Sequence, residues 1–172
     1  MTGLNIQALV PGNEYFFLLR ELASEYPLPH SLLGTEKAPE YVMKLATRFV
    51  DQQGAGWYGY ICGNSISAAA HLSVYGFGNG RGHTLWKIRH PMLQTGCDPD
   101  HLGILLDFLV DHSLLSRSGS AKIVMFLSEF ESIAIEEARA HSFILQGQLS
   151  DYYRIGEMCL IYTRTVFGQG KP

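Results

Sequence analysis

Few residues of this chain combine a reactive type with a useful placement. His90 ends a strand-like run, HTLWKIRHP, where an imidazole can serve as general base toward an amine. Cys97 precedes a helical pattern, and a helix N-terminus favours the thiolate; a nucleophilic cysteine would want a paired histidine, and only a distant candidate exists. Tyr152 and Tyr153 share a polar loop, DYYRIGE, between two strand-like runs. Either phenol can donate a proton; the other use of both is packing over a sheet or stabilising the turn. Asp107, Asp111 and His112 fall on one helical pattern with the two carboxylates on one face. Without a third fixed ligand a solvated helical face is expected there, and no metal. His141 falls at a helix C-terminus, where a partial positive charge is favourable without any catalytic role. The aromatic residues Trp57, Tyr58, Tyr60, Tyr75 and Phe77 either line a pocket or pack across strands.

These side chains need elements to hold them. Leu4 to Val10 can form a first strand ended by Pro11-Gly12, and Asn13 is placed to cap a helix with Phe16, Leu19, Leu22 and Ala23 on one face. Pro27 and Pro29 break that helix and open a loop through Gly34. Pro39 suits the first turn of a second helix, whose apolar face is Val42, Leu45, Ala46, Phe49 and Val50, with Gly54 just past its end. The run WYGYIC, the dipeptide Gly63-Asn64 and the run SISAAAHLSVY predict a hairpin. GFGNGRGH lacks GxGxxG spacing and leads into no helix, so it reads as a flexible turn rather than a phosphate loop. Beyond Pro91 the pattern turns to helix, strand, helix, which implies a parallel crossover. The full order is β-α-α-β-β-β-α-β-α-β-β, one α/β domain over 1–172.

That order, closed by Asp151-Tyr152-Tyr153-Arg154-Ile155-Gly156-Glu157, resembles the GCN5-related N-acetyltransferase (GNAT) superfamily as a divergent member with a degenerate acyl-CoA motif. The resemblance implies a mixed sheet in which Thr84–His90 and Lys122–Ser128 are parallel neighbours splayed at their C-terminal ends. It implies acetyl-CoA as co-substrate and an amine, small-molecule or peptide, as acceptor. Family members seat the cofactor's pyrophosphate on a loop of the form Arg/Gln-x-x-Gly-x-Gly/Ala at a helix N-terminus. Counting forward from Pro91 puts Gln94 on the first position, with Thr95, Gly96 and Cys97 in the loop. Counting backward from Leu105-Leu106 puts the motif on Cys97 to Leu102, so the loop is long. Asp98 and Asp100 place carboxylates there, each worth roughly 0.3–1 kcal/mol to the helix itself. A capped helix without a phosphate site and cofactor binding through the amides of Gln94, Thr95, Gly96 and Cys97 are both open. In the family the strand before this loop also offers main-chain groups to the pantetheine arm, here Ile88, Arg89 and His90, with one amide holding the oxyanion.

The family's usual acid, a tyrosine of the last helix, falls on Ala138, because Ser142-Phe143 occupies the family's Gly-Phe position. Ala134 matches the family's alanine, and Glu131 stands where asparagine is common. Tyr152 or Tyr153 is then the replacement acid, and His90 the base. The implied activity is an acyl-CoA-dependent N-acyltransferase. The alternative is a catalytically silent module of the same fold that binds a ligand or partner.

The bulk numbers bound the rest. A chain of 172 residues can bury a core without staples. A net charge of −3 supplies no basic footprint, so nucleic acid is not expected as a partner. Three cysteines without a CxxC pair suit a reducing compartment. No basic leader followed by an apolar run is present and no stretch is long enough to span a bilayer, so no membrane association and a cytoplasmic location are expected. Exposed edge strands of this fold allow a homodimer.

Overall fold

The period-2 runs assemble into one seven-stranded sheet in the order β1-β2-β3-β4-β5-β7-β6. The computed structural model describes residues 5–25, 38–49, 51–77, 83–115 and 119–168. Its elements are β1 (Ile6–Leu9), α1 (Glu14–Glu25), α2 (Ala38–Arg48), β2 (Gly56–Cys62), β3 (Ser65–Phe77), β4 (His83–Leu93), α3 (Asp100–Leu115), β5 (Ser120–Ser128), α4 (Ser132–Ala140), β6 (Ile144–Ser150) and β7 (Met158–Phe167). This is the order expected from the sequence. All neighbouring strands are antiparallel except β4 and β5, which run parallel. The proline-rich loop at 26–37, Val50 and residues 78–82 of the glycine-rich turn lie outside the described residues.

Local signals act as their chemistry requires. Asn13 Oδ1 accepts the Phe16 N–H at 2.8 Å and caps α1. Gly63-Asn64 joins β2 to β3 as a two-residue turn, with Gly63 at φ 61°. α4 ends in a Schellman arrangement: the Phe143 N–H reaches Ala138 O at 2.9 Å and the Ser142 N–H reaches Arg139 O at 3.3 Å. Ser142 therefore sits at φ 63°, which gives a physical reason for glycine at this place in the family pattern.

Two cores form, one on each face of the sheet. The first packs α3 and α4 on Trp86, Ile88, Ile123, Met125 and Leu127; the second packs α1 and α2 on Leu9, Trp57, Ile61, Ala69 and Met92. Trp57 and Trp86 are each fully enclosed. An aromatic residue of that size removes about 150–250 Å² from water, worth roughly 4–6 kcal/mol at about 25 cal/mol per Å². Because side chains alternate along a strand, burying Trp86 and Ile88 toward α3 and α4 turns Lys87 and Arg89 toward α1 and α2.

Candidate active site

β4 and β5 part company midway. Their parallel register runs from His83↔Ser120 to Ile88↔Met125 and stops, although β4 continues to Leu93 and β5 to Ser128. The cause lies in β4. Ala69 faces Met92 and His71 faces Arg89, so Ala70 alone stands opposite His90 and Pro91. This is a β-bulge, with His90 at φ 49°, and a bulge bends its strand and raises its twist. Pro91 in the sequence predicts the end of this strand. The structure carries it on to Leu93, because a bulge is one place where a strand tolerates a proline. Beyond the bulge β4 stays with β3 and β5 stays with β7, leaving a gap between two strands of one sheet.

A cavity of about 220 Å³ opens at that gap. β4 contributes Lys87, Ile88, Arg89 and His90, β5 contributes Phe126, the β6–β7 loop contributes Tyr152 and Tyr153, and α2 contributes Tyr41. Thus all three residues expected to be catalytic, and Ile88 and Arg89 of the expected cofactor set, line one cavity. His90 Nε2 lies 3.0 Å from the Tyr41 hydroxyl, and its ring stacks on Trp57 at 6.4 Å.

The electrostatics of the cavity are cationic. Lys87 Nζ lies 3.9 Å from the centre of the Phe126 ring and 5.4 Å from that of Tyr75. Burial first, then the charge of Arg89, brings the Lys87 ammonium down to about 8. Arg89 donates to Ser73 Oγ and lies over the Phe49 ring, and burial lowers its guanidinium too. Across from it His71, fully buried against Phe49 and Trp57, is held down to about 3 by burial and by Arg89, and is neutral.

The two tyrosines divide their tasks. The Tyr153 hydroxyl donates to the Phe126 carbonyl at 2.9 Å, and burial pushes its phenol well above the ordinary range. Tyr152 is half exposed, stacks on Phe126 at 5.9 Å and meets Tyr153 edge-on at 4.9 Å. Burial raises its phenol as well.

The remaining expected cofactor residues sit apart from this cavity, before α3. Gln94, Thr95, Gly96 and Cys97 form a tight turn, with the Cys97 N–H on Gln94 O at 3.0 Å and Gly96 at φ 83°. The Gln94 N–H is bound to Ser67 O at 2.8 Å, so among the described residues only Thr95 and Gly96 keep amides without a partner in this turn. Asp98 caps the helix, its Oδ1 accepting the Asp100 N–H at 3.1 Å. The surroundings are acidic: burial, with Asp100, Glu136 and Asp98 close by, raises the Glu137 carboxyl in spite of His141 beside it.

Other sequence candidates have structural duties. Asp107 binds His141 at 2.8 Å and Arg164 at 2.5 Å, and His112 binds the Tyr58 hydroxyl at 2.9 Å. Ala138 is fully buried in the core. Three residues that line the cavity carry no signal in the sequence: Lys87, Tyr41 and Phe126. Glu131 Oε2 accepts the Ser128 N–H at 2.6 Å, while Oε1 is buried with no partner. Burial pushes this carboxyl up to about 8, against the Ser128 bond and aided by Glu157, which accepts from Ser128 Oγ.

Known structures share this architecture. Ribosomal-protein-alanine N-acetyltransferase from Brucella melitensis superposes with a TM-score of 0.69 at 12% identity, over 94% of this chain and 99% of that one. NAA60 of Arabidopsis thaliana, in complex with acetyl-CoA, gives 0.68 at 12% identity, over 94% and 97%. An acetyltransferase of the GNAT family from Streptococcus pneumoniae gives 0.63 at 12%, over 94% and 98%. No family model matches the chain, and no curated protein sequence matches it. The chain has the GNAT fold, a mixed α/β architecture with one parallel strand pair at its centre.

Proposed function

We propose that the protein is an acyl-CoA-dependent N-acyltransferase that moves an acetyl group from acetyl-CoA to an amine. The observation that carries this reading is the gap between β4 and β5, which opens on a cavity lined by His90 and Tyr152. The main chain from Ile88 to His90 has the placement to bind the pantetheine arm and to hold an oxyanion as the thioester carbonyl is attacked. His90 takes the proton of the attacking amine. The carbon–sulfur bond then breaks, and Tyr152 gives its proton to the departing thiolate, since the Tyr153 hydroxyl is engaged by Phe126. Thr95 and Gly96 are the amides left to meet the pyrophosphate. The test is to incubate the protein with acetyl-CoA and a mixed panel of amines and follow release of free thiol and N-acetyl product. Thiol release that depends on the amine supports the reading, and none across the panel overturns it.

A second reading, a silent module of this fold, is favoured by one observation. Asp98, Asp100, Glu136 and Glu137 crowd the helix end where a diphosphate would sit. Calorimetric titration with CoA separates the two, since a module without the phosphate site leaves CoA unbound.

A further inference from the structure

We propose that Lys87 and Arg89 form an anion subsite whose occupant carries a carboxylate, and that the acceptor is a small amino-acid-like molecule. The second half rests on the acyltransferase reading; the first stands without it. The two cations are alternate residues of β4, so they share one face, and both line the same cavity. Among the described residues neither forms an ion pair with a carboxylate, whereas Arg154 and Arg164 both do. Arg89 spends one donor on Ser73, leaving most of a five-donor fork unused. Lys87 rests on the rings of Phe126 and Tyr75. Ring contacts offset only part of what burial of a cation takes away, and the lowered proton affinities of both side chains record that deficit. A bound carboxylate supplies the missing charge and matches the planar Arg fork.

Size and location narrow the occupant. A cavity of about 220 Å³ lies below the usual range for drug-sized ligands, about 300–1,000 Å³. No residue from Gln94 to Asp100 lines it, so this anion is not the diphosphate of CoA, which the fold would place at α3. His90 follows Arg89 directly, which brings a base beside an anchored carboxylate.

The test uses the whole chain without acyl-CoA, titrated with N-acetylalanine, with its neutral amide N-acetylalaninamide, and with inorganic phosphate. Binding is read by calorimetry and by the unfolding midpoint. N-acetylalanine is expected to bind and to raise the midpoint, less so at high salt, while the amide does neither. Lys87→Met should weaken the acid by about tenfold or more, yet fold at or above the wild-type midpoint, because it removes a half-buried charge that has no carboxylate partner among the described residues. Arg89→Lys, which keeps the charge and loses the fork, should also weaken it. Equal binding of acid and amide, binding of phosphate alone, no binding of any probe, or wild-type affinity in both variants overturns the subsite. If N-acetylalanine binds as expected but neither alanine nor any other amine is acetylated, the acyltransferase reading fails and the carboxylate subsite stands.

Discussion

The Tyr153 hydroxyl is bound to the Phe126 carbonyl at 2.9 Å, across the mouth of the gap between β4 and β5. Phe126 lies one residue beyond the last β4–β5 pair, Ile88↔Met125. The bond therefore claims an acceptor that the parting of the strands would otherwise leave to a ligand.

It also separates the two tyrosines in their expected behaviour. Tyr152→Phe should lower turnover at least tenfold with little change in acetyl-CoA affinity, since a positioned acid contributes roughly 10²–10⁴-fold. Tyr153→Phe should instead lower stability by about 1 kcal/mol, the usual net worth of one hydrogen bond. Steady-state kinetics and urea unfolding of both variants check this. Full activity in Tyr152→Phe removes Tyr152 as the acid.

His90 is held against Tyr41 and Trp57 at the bulge, and that fixed ring is the proposed base. His90→Gln should lower turnover by roughly 10²-fold or more, with acetyl-CoA binding retained. Retained turnover would show that the amine loses its proton elsewhere.

The acidic end of α3 opposes a diphosphate. Asp100→Asn should tighten acetyl-CoA by a few-fold or leave it unchanged, the scale of one charge at a helix terminus being about 0.3–1 kcal/mol. Calorimetry reads this directly. A clear loss of affinity in a folded variant would count against placing the pyrophosphate there.

Glu131 gives a pH dependence of definite sign. Its carboxyl titrates at about 8 in the folded protein against an ordinary 4.5. Between those values the unfolded chain has released a proton that the native state retains, so stability falls as pH rises through the window and levels off above it. Each tenfold difference in proton affinity is about 1.4 kcal/mol. Glu131→Gln keeps an acceptor for the Ser128 N–H and has no proton to lose. Its stability relative to wild type should therefore grow from pH 4.5 to pH 8, read by urea midpoints at both ends. A constant difference would mean that Glu131 is ionised throughout.

Much of the fold was legible because local signals agreed with one another. Asn13, Gly63-Asn64 and Asp98-Pro99 mark ends of elements through hydrogen bonds and backbone angles that need no distant partner. The site was legible where it used the ends of elements, as with His90 and the Tyr152-Tyr153 loop. Lys87 was not, because an apolar and polar alternation in β4 reads equally as a strand facing water on one side. What covers that side is Tyr75 of the preceding strand and Phe126 of β5, and only the folded chain brings them together. Glu131 was hidden for a related reason: its burial depends on Ser128 and on Glu157 of another segment. The bulge has a signal, a proline within a central strand, but a proline marks the end of a strand equally well.

The single parallel pairing makes the sheet a seam between two antiparallel halves, β1 to β4 and β5 to β7. Main-chain groups that face the gap past Ile88 and Met125 belong to neither half's ladder. A molecule that threads the gap would stitch the halves together along their open length, so occupancy is coupled to how readily they breathe apart. Those amide hydrogens of β4 and β5 that face the gap should exchange quickly in the free protein and slow in proportion to its filling. The chain thus reports occupancy of its own cleft through the stiffness of its centre.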